Sequence, residues 1–268
     1  MTQYDTDILA ASPDGYWKCD DASGSTLVDS SPGNHPLVGS AFVENYRIPG
    51  PSLAQIPYAT DWINTGTPPL CATTTVGSYA AGVGFSVEGW WAGVGPMGGA
   101  RSTLLEKGFG SAGEARPWYY LGVDGDGTPV FWFRSTTPTD YKLTTTIAIN
   151  DATYPQRGPY HHLVGTFHPT SGAVLYIDGI PAKSLAVANT GWGTAAQGIS
   201  SGIFAGDKSG SWVAALAVYQ SVLTPAGVLA HFNLGIQGNA FYVSQLATQI
   251  TSCQAALAEI LAAVKKTY

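Results

Sequence analysis

YHHLVGTFHPTSGAVLYIDGIPAK, residues 160–183, reads as three short strands in a row. From Tyr160 to His168 apolar and polar residues nearly alternate: Leu163, Gly165 and Phe167 point one way, and His162, Thr166 and His168 the other. That period of two predicts a strand with one buried face. Pro169-Thr170-Ser171-Gly172 breaks it with turn residues. Ala173 to Ile177 is a β-branched and aromatic return strand, and Asp178-Gly179 is a strong hairpin signal because both residues tolerate positive φ. Strand, loop, strand, tight turn, strand is a meander, so the bulk of the chain is expected to be antiparallel β.

Working outward, the same grammar recurs. Phe85–Ala92 (FSVEGWWA), Ser102–Lys107 (STLLEK), Trp118–Val123 and Pro129–Arg134 read as strands, the last two joined by Asp124-Gly125-Asp126-Gly127. Lys142–Ile149, Ile203–Gly206 and Trp212–Tyr219 follow. Ahead of them, Tyr4–Ala11 predicts a lead-in helix stopped at Pro13-Asp14-Gly15, and Tyr16–Asp20 a first strand. Pro49–Tyr79, rich in Pro, Thr and Gly, reads as loops and strand edges. Thr224-Pro225 caps a helical turn over Ala226–Leu234 that Gly235 is expected to end.

Several of these stretches resemble one family. Residues 160–179 are similar to the WHHVAGTYD…LYVDG signature of laminin-G-like, concanavalin-type jelly rolls, and Tyr16–Asn34, Phe85–Ala92, Ser102–Lys107 and 224–235 resemble further family segments in the right order. The resemblance implies an all-β, antiparallel jelly-roll β-sandwich over 1–235, with a C-terminal α-helix beyond it. The opening DILAASPDGYW also looks like the start of many tail proteins of tailed bacteriophages.

The last stretch differs in kind. Val243, Leu246, Ile250, Cys253, Leu257, Ile260 and Val264 are spaced alternately by three and four, an apolar seam that suits supercoiling. Residues 236–268 are therefore expected to form an oligomerising or docking helix, with a trimer favoured over a dimer. A helix from about Asn239 to Lys266 would span roughly 40 Å and is marginal unless its seam is buried.

Composition narrows the function. Charged residues make up 11% of the 268, and the net charge is −6. A weakly charged surface of hydroxyls and amides suits extracellular and virion proteins, and the acidic balance argues against nucleic acid. The opening residues lack a signal peptide's basic start and apolar core, and no apolar run approaches the ~20 residues of a membrane span. The expectation is a protein made in a host cytoplasm and carried on a virion.

Cys19, Cys71 and Cys253 are an odd number without metal-ligand spacing. Buried free thiols are expected, with a Cys19–Cys71 disulfide as the alternative. Glu88, Glu106 and Glu114 are isolated, and the E-x-D-x-x-E strand of related glycosidases is absent. No catalytic residue is therefore expected, and Glu88 reads as structural. His161, His162 and His168 share no metal geometry, since neighbours on a strand face opposite ways and His162 and His168 stand some 20 Å apart. Asp124–Thr128 resembles the start of a calcium loop, but Ser135 stands where its closing Glu should be, so a hairpin turn is the better reading. No metal site is expected. Calcium stays an open cofactor only through the resemblance, whose acidic pair on the last strand is here Ala214 and Ala215.

Trp62 and Trp192 sit in loop-like polar surroundings and are the candidate glycan or protein contacts. Trp17, Trp90, Trp91 and Trp212 lie on strands and read as core or strand-face packing. Trp118, Tyr119, Tyr120 and Trp132 straddle a hairpin, so about half of them face out as a platform. The expected function is a non-enzymatic virion structural protein, in capsid decoration or on the tail surface. Its partners would be its own copies, other virion proteins and, weakly, host glycans. The alternative is a stand-alone carbohydrate-binding lectin-like module; a glycosidase using Glu88 is the third reading.

Overall fold

Residues 161–185 fold as the meander their sequence predicts. Three antiparallel strands pair in succession, and the tight turn places Asp178 at φ +52° and Gly179 at φ +78°. The computed structural model describes residues 1–24, 26–38, 43–62, 76–77, 82–93, 102–107, 118–134, 140–149, 159–186, 203–204, 211–237 and 254. In chain order the elements are α1 (Gln3–Ala10), β1 (Gly15–Trp17), β2 (Thr26–Leu27), β3 (Leu37–Val38), β4 (Val43–Ser52), β5 (Ile56–Trp62), β6 (Phe85–Ala92), β7 (Ser102–Lys107) and β8 (Tyr119–Val123). Then come β9 (Pro129–Arg134), β10 (Asp140–Thr144), β11 (His161–His168), β12 (Gly172–Ile177), β13 (Ile180–Leu185), β14 (Ile203–Phe204), β15 (Ser211–Tyr219) and α2 (Pro225–Gly235).

Two antiparallel sheets carry the fold. The larger runs β13-β12-β11-β6-β15-β5-β4, with β1 also paired to β15; the smaller runs β10-β9-β8-β7-β14. Side chains that alternate inward from both sheets meet in one core: Phe85, Val87, Leu163 and Phe167 from the large sheet, Tyr119, Leu121, Phe131 and Phe133 from the small one. Phe85 and Phe131 approach to 5.9 Å between ring centroids, and Phe133 and Phe167 to 4.9 Å. Each such ring contributes about 2 kcal/mol by leaving water. This is the sandwich expected from the sequence.

The other face of the large sheet is also buried, which the sequence reading did not foresee. β11 has both faces covered, with His162 fully buried. The cover is α1 and α2. Tyr4 and Ile8 of α1 and Val228 of α2 pack on Trp90, Val164, Tyr176 and Tyr219 in a second apolar cluster. α1 starts at a capping box: Thr2 Oγ1 accepts from the Asp5 amide at 3.2 Å and the Asp5 carboxylate accepts from the Thr2 amide at 2.9 Å. α2 starts at Thr224, whose hydroxyl accepts from the Gly227 amide, with Pro225 in its first turn.

Two expectations need correction. Residues 49–52 and 56–62 belong to β4 and β5, which pair with each other, so Trp62 ends a strand rather than sitting in a loop. Beyond Thr144, residues 145–149 are not strand. α2 ends at Gly235 as expected, with Ile236 as its C-cap in right-handed geometry. A Cβ on Gly235 would lie 2.1 Å from Trp90 Cζ2, so its lack of a side chain serves packing. Trp192, Cys71 and the seam Val243, Leu246, Ile250, Cys253, Leu257, Ile260 and Val264 lie outside the described residues. Gln254 is described there, helical and exposed. No helix among the described residues is long and apolar enough to cross a membrane.

Candidate functional site

β6 sends Phe85, Val87 and Trp91 into the sandwich core, so its alternate residues Ser86, Glu88 and Trp90 face the helices. Glu88 is fully buried there. Its Oε2 lies 3.0 Å from His162 Nε2 of β11 and 3.1 Å from His231 Nδ1 of α2, and its Oε1 accepts a hydrogen bond from the Tyr219 hydroxyl of β15. Trp90, one side of this cluster, stacks on His162 at 4.9 Å and donates from its indole to the Tyr4 hydroxyl at 3.0 Å. His162 Nδ1 has no partner among the described residues, so the ring's proton belongs on Nε2, facing Glu88.

Burial alone would push the Glu88 carboxyl up, but the His231 charge and the bonds from His162 and His231 overcome it and hold the group far below the usual carboxylate range. For His231, burial works against the cation and the Glu88 charge wins, raising its pKa. Burial, then the Glu88 charge, drives the Tyr219 phenol up. A sealed carboxylate that stays ionised cannot hand a proton to a glycosidic oxygen, and it does not touch solvent. None of its three hydrogen-bond partners is a second carboxylate. Glu88 therefore clamps α2 to the sheet.

The small sheet presents a different kind of surface. Tyr119, Leu121, Phe131, Phe133 and Leu143 fill the core, so the residues between them face outward. Register places Glu106 opposite Tyr120, Tyr120 opposite Trp132, and Trp132 opposite Lys142. These four side chains form one row across four strands, about 4.8 Å per step. Trp132 is half-buried at the row's centre. Tyr120 lies flat, donating to the Ser102 carbonyl at 3.0 Å; a Cβ at Gly122 would fall 2.4 Å from its hydroxyl, so only glycine leaves that space. Lys142 ends the row in an ion pair with Asp124 at 2.6 Å. In the next row Arg134 places its guanidinium 5.5 Å from the Trp118 ring centre. The expected platform needs correction: Trp118, Tyr119 and Tyr120 are all buried, and of the four aromatics Trp132 alone is partly exposed.

The remaining sequence candidates separate. His161 pairs with Asp178 at 2.8 Å, His162 with Glu88, and His168 accepts from the Thr170 and Ser171 amides, so the three serve different local structures. No group of three His, Cys, Asp or Glu among the described residues is placed to hold a metal. At the Asp124–Thr128 turn, Asp126 accepts from the Thr128 amide and hydroxyl and Asp124 binds Lys142, a self-satisfied hairpin. Cys19 is a free, buried thiol. Trp17, Trp90 and Trp91 are buried as expected. His231 was not found from sequence: nothing in AHFNLG marks it, because its role comes only from where α2 docks.

Comparison with known proteins agrees with this architecture. The binding domain of Paraclostridial Mosquitocidal Protein 1 superposes with a TM-score of 0.61 at 13% identity, covering 84% of this chain and 52% of that one. The Botulinum neurotoxin serotype D ligand binding domain, in complex with N-acetylneuraminic acid, gives 0.59 at 12%, covering 84% and 51%. Trypanosoma rangeli sialidase gives 0.55 at 15%, covering 86% of this chain and 36% of the enzyme. The chain thus spans about half the length of the toxin domains and about a third of the sialidase. At such identities the likeness concerns the fold alone. No curated protein matches the sequence. A family profile matches residues 70–229, more than half of the chain. The chain belongs to the concanavalin A-like lectin/glucanases superfamily.

Proposed function

We propose that the chain is a non-enzymatic adhesion module on a tailed-phage virion, at capsid or tail, which captures host-surface glycan on the outward face of its small sheet. The observation that carries this reading is Trp132, half-buried and in register with the exposed Lys142, in a row whose other members, Tyr120 and Glu106, are buried. The half-buried indole stacks on the C–H face of a sugar ring, while the exposed Lys142 beside it takes a hydroxyl. Trp62 and Trp192 are proposed as further aromatic contacts. The clamped Glu88 supports binding without turnover, since the carboxylate sequence reasoning would nominate as catalytic is out of reach. A neurotoxin domain of this fold seen with N-acetylneuraminic acid supports a sugar ligand.

The virion setting rests on the phage-like lead-in, which folds as α1 and β1, and on the low charge. Copies associate as trimers through the 243–264 seam, and the helical, exposed Gln254 is consistent with a helix there. No cofactor is needed. A stand-alone lectin-like module is the second reading; it keeps the same sugar-binding row but predicts a monomer. The test is a glycan array probed with the wild-type chain and with Trp132→Ala. The proposal expects wild-type signal that the variant loses; equal signal from both would overturn it.

A further inference from the structure

The large sheet has a gap where one strand changes neighbours. β15 pairs with β5 over Ser211–Val213 and with β1 over Leu216–Val218, on the same edge. Between them β15 bulges, with a register shift between Ala214 and Ala217 and Ala215 at φ +49°. The Ala215 amide reaches the Lys18 carbonyl at 3.2 Å instead of a strand ladder. A cleft of ≈ 160 Å³ opens at this switch, floored by Ala215, whose methyl group leaves it unfilled.

Its walls carry complementary chemistry: Asp5, Lys18, Asp20, Gln55 and Tyr58. Tyr58 is 38% exposed and is held by Arg47, whose guanidinium lies 5.2 Å from the ring centre and whose Nε donates to the Asp20 carbonyl at 2.8 Å. That bond uses the Asp20 backbone and not its carboxylate. Asp5 is already satisfied, accepting from Tyr16 Oη at 2.8 Å and Lys18 Nζ at 3.1 Å. Two carboxylates against one paired ammonium disfavour an acidic ligand, and Lys18 disfavours a free amine. An aromatic ring beside mixed donors and acceptors, in space for a single ring, fits a neutral hydroxylated one.

We propose that this cleft is a second saccharide site, taking one neutral pyranose residue that stacks on Tyr58 and gives hydroxyl hydrogen bonds to Asp20. It is independent of the small-sheet face, because it lies on the other sheet and shares no residue with the Trp132 row. The test is saturation-transfer NMR on the full chain with the methyl glycosides of glucose, galactose, mannose and N-acetylglucosamine. At least one sugar is expected to show transfer in the wild type and in Trp132→Ala, and to weaken by about tenfold or more in Tyr58→Ala and in Asp20→Asn. Both substituted side chains are solvent-facing, and melting curves confirm that the variants fold. Absence of transfer from all of these sugars, or transfer that survives both cleft substitutions, overturns the proposal. Loss in Trp132→Ala alone would assign the sugar to the small-sheet face and equally overturn it.

Discussion

Glu88→Gln removes one charge from a sealed cluster and changes almost no volume. The carboxylate takes bonds from His162, His231 and Tyr219 with no solvent access. An amide can accept on its oxygen only, so its NH2 must face a donor, and the buried His231 cation loses its counter-charge. Breaking a buried pair in this way costs about 3–5 kcal/mol. At roughly 2–4 °C per kcal/mol for a domain of this size, the melting temperature should fall by about 10 °C. The pH profile gives a second reading. The raised pKa of His231 means its contribution is whole below the unfolded value of about 6.5 and is lost as pH rises through the folded value. The depressed pKa of Glu88 means its contribution is whole above the unfolded value of about 4.3 and is lost as pH falls toward the folded one. Wild-type stability should therefore decline on the alkaline side by a component that Glu88→Gln lacks. Calorimetry of both proteins from pH 5 to 9 checks this. A variant within ~1 kcal/mol of wild type, or one with the same alkaline slope, would refute the clamp.

Three further outcomes are expected. Gly235→Ala should destabilise by about 1–3 kcal/mol in urea titrations, because its Cβ meets Trp90 at 2.1 Å; a gain in stability would show that helix propensity wins instead. Asp29→Ala should cost about 3 kcal/mol, since this buried carboxylate accepts from the Tyr16, Ser31 and His35 amides and from the Ser31 hydroxyl at 2.7–2.8 Å; a change under ~1 kcal/mol would contradict that role. Light scattering should give a trimer for the full chain and a monomer after removal of residues 239–268, whereas a monomer in both forms removes the assembly proposal.

Legibility from sequence varied with how local the determining physics is. FSVEGWWA, STLLEK and PVFWFR were read residue for residue, because pleat alternation and turn chemistry are written in adjacent positions. β4 and β5 were missed because Pro49, Pro51 and Pro57 read as breakers. β4 tolerates its prolines as an edge strand with register shifts, and Pro57 lies in the half of β5 that β15 does not pair. The second buried face of β11 was invisible because its cover comes from helices at opposite ends of the chain. The same holds for the Glu88–His231 pair, which spans 143 residues. The aromatic platform was expected to be half exposed, yet Trp118, Tyr119 and Tyr120 are buried and Trp132 alone is partly open, because alternation along a strand sets which way a ring points but not what covers it.

The Trp132 face is proposed to capture glycan without turning it over. The most direct measurement is a titration of the array's strongest glycan into the wild-type chain and Trp132→Ala, with the recovered glycan assayed for new reducing ends. Saturable binding is expected, weakened by about tenfold or more in the variant, with the glycan returned intact. New reducing ends, or equal affinity in the two proteins, would contradict that proposal.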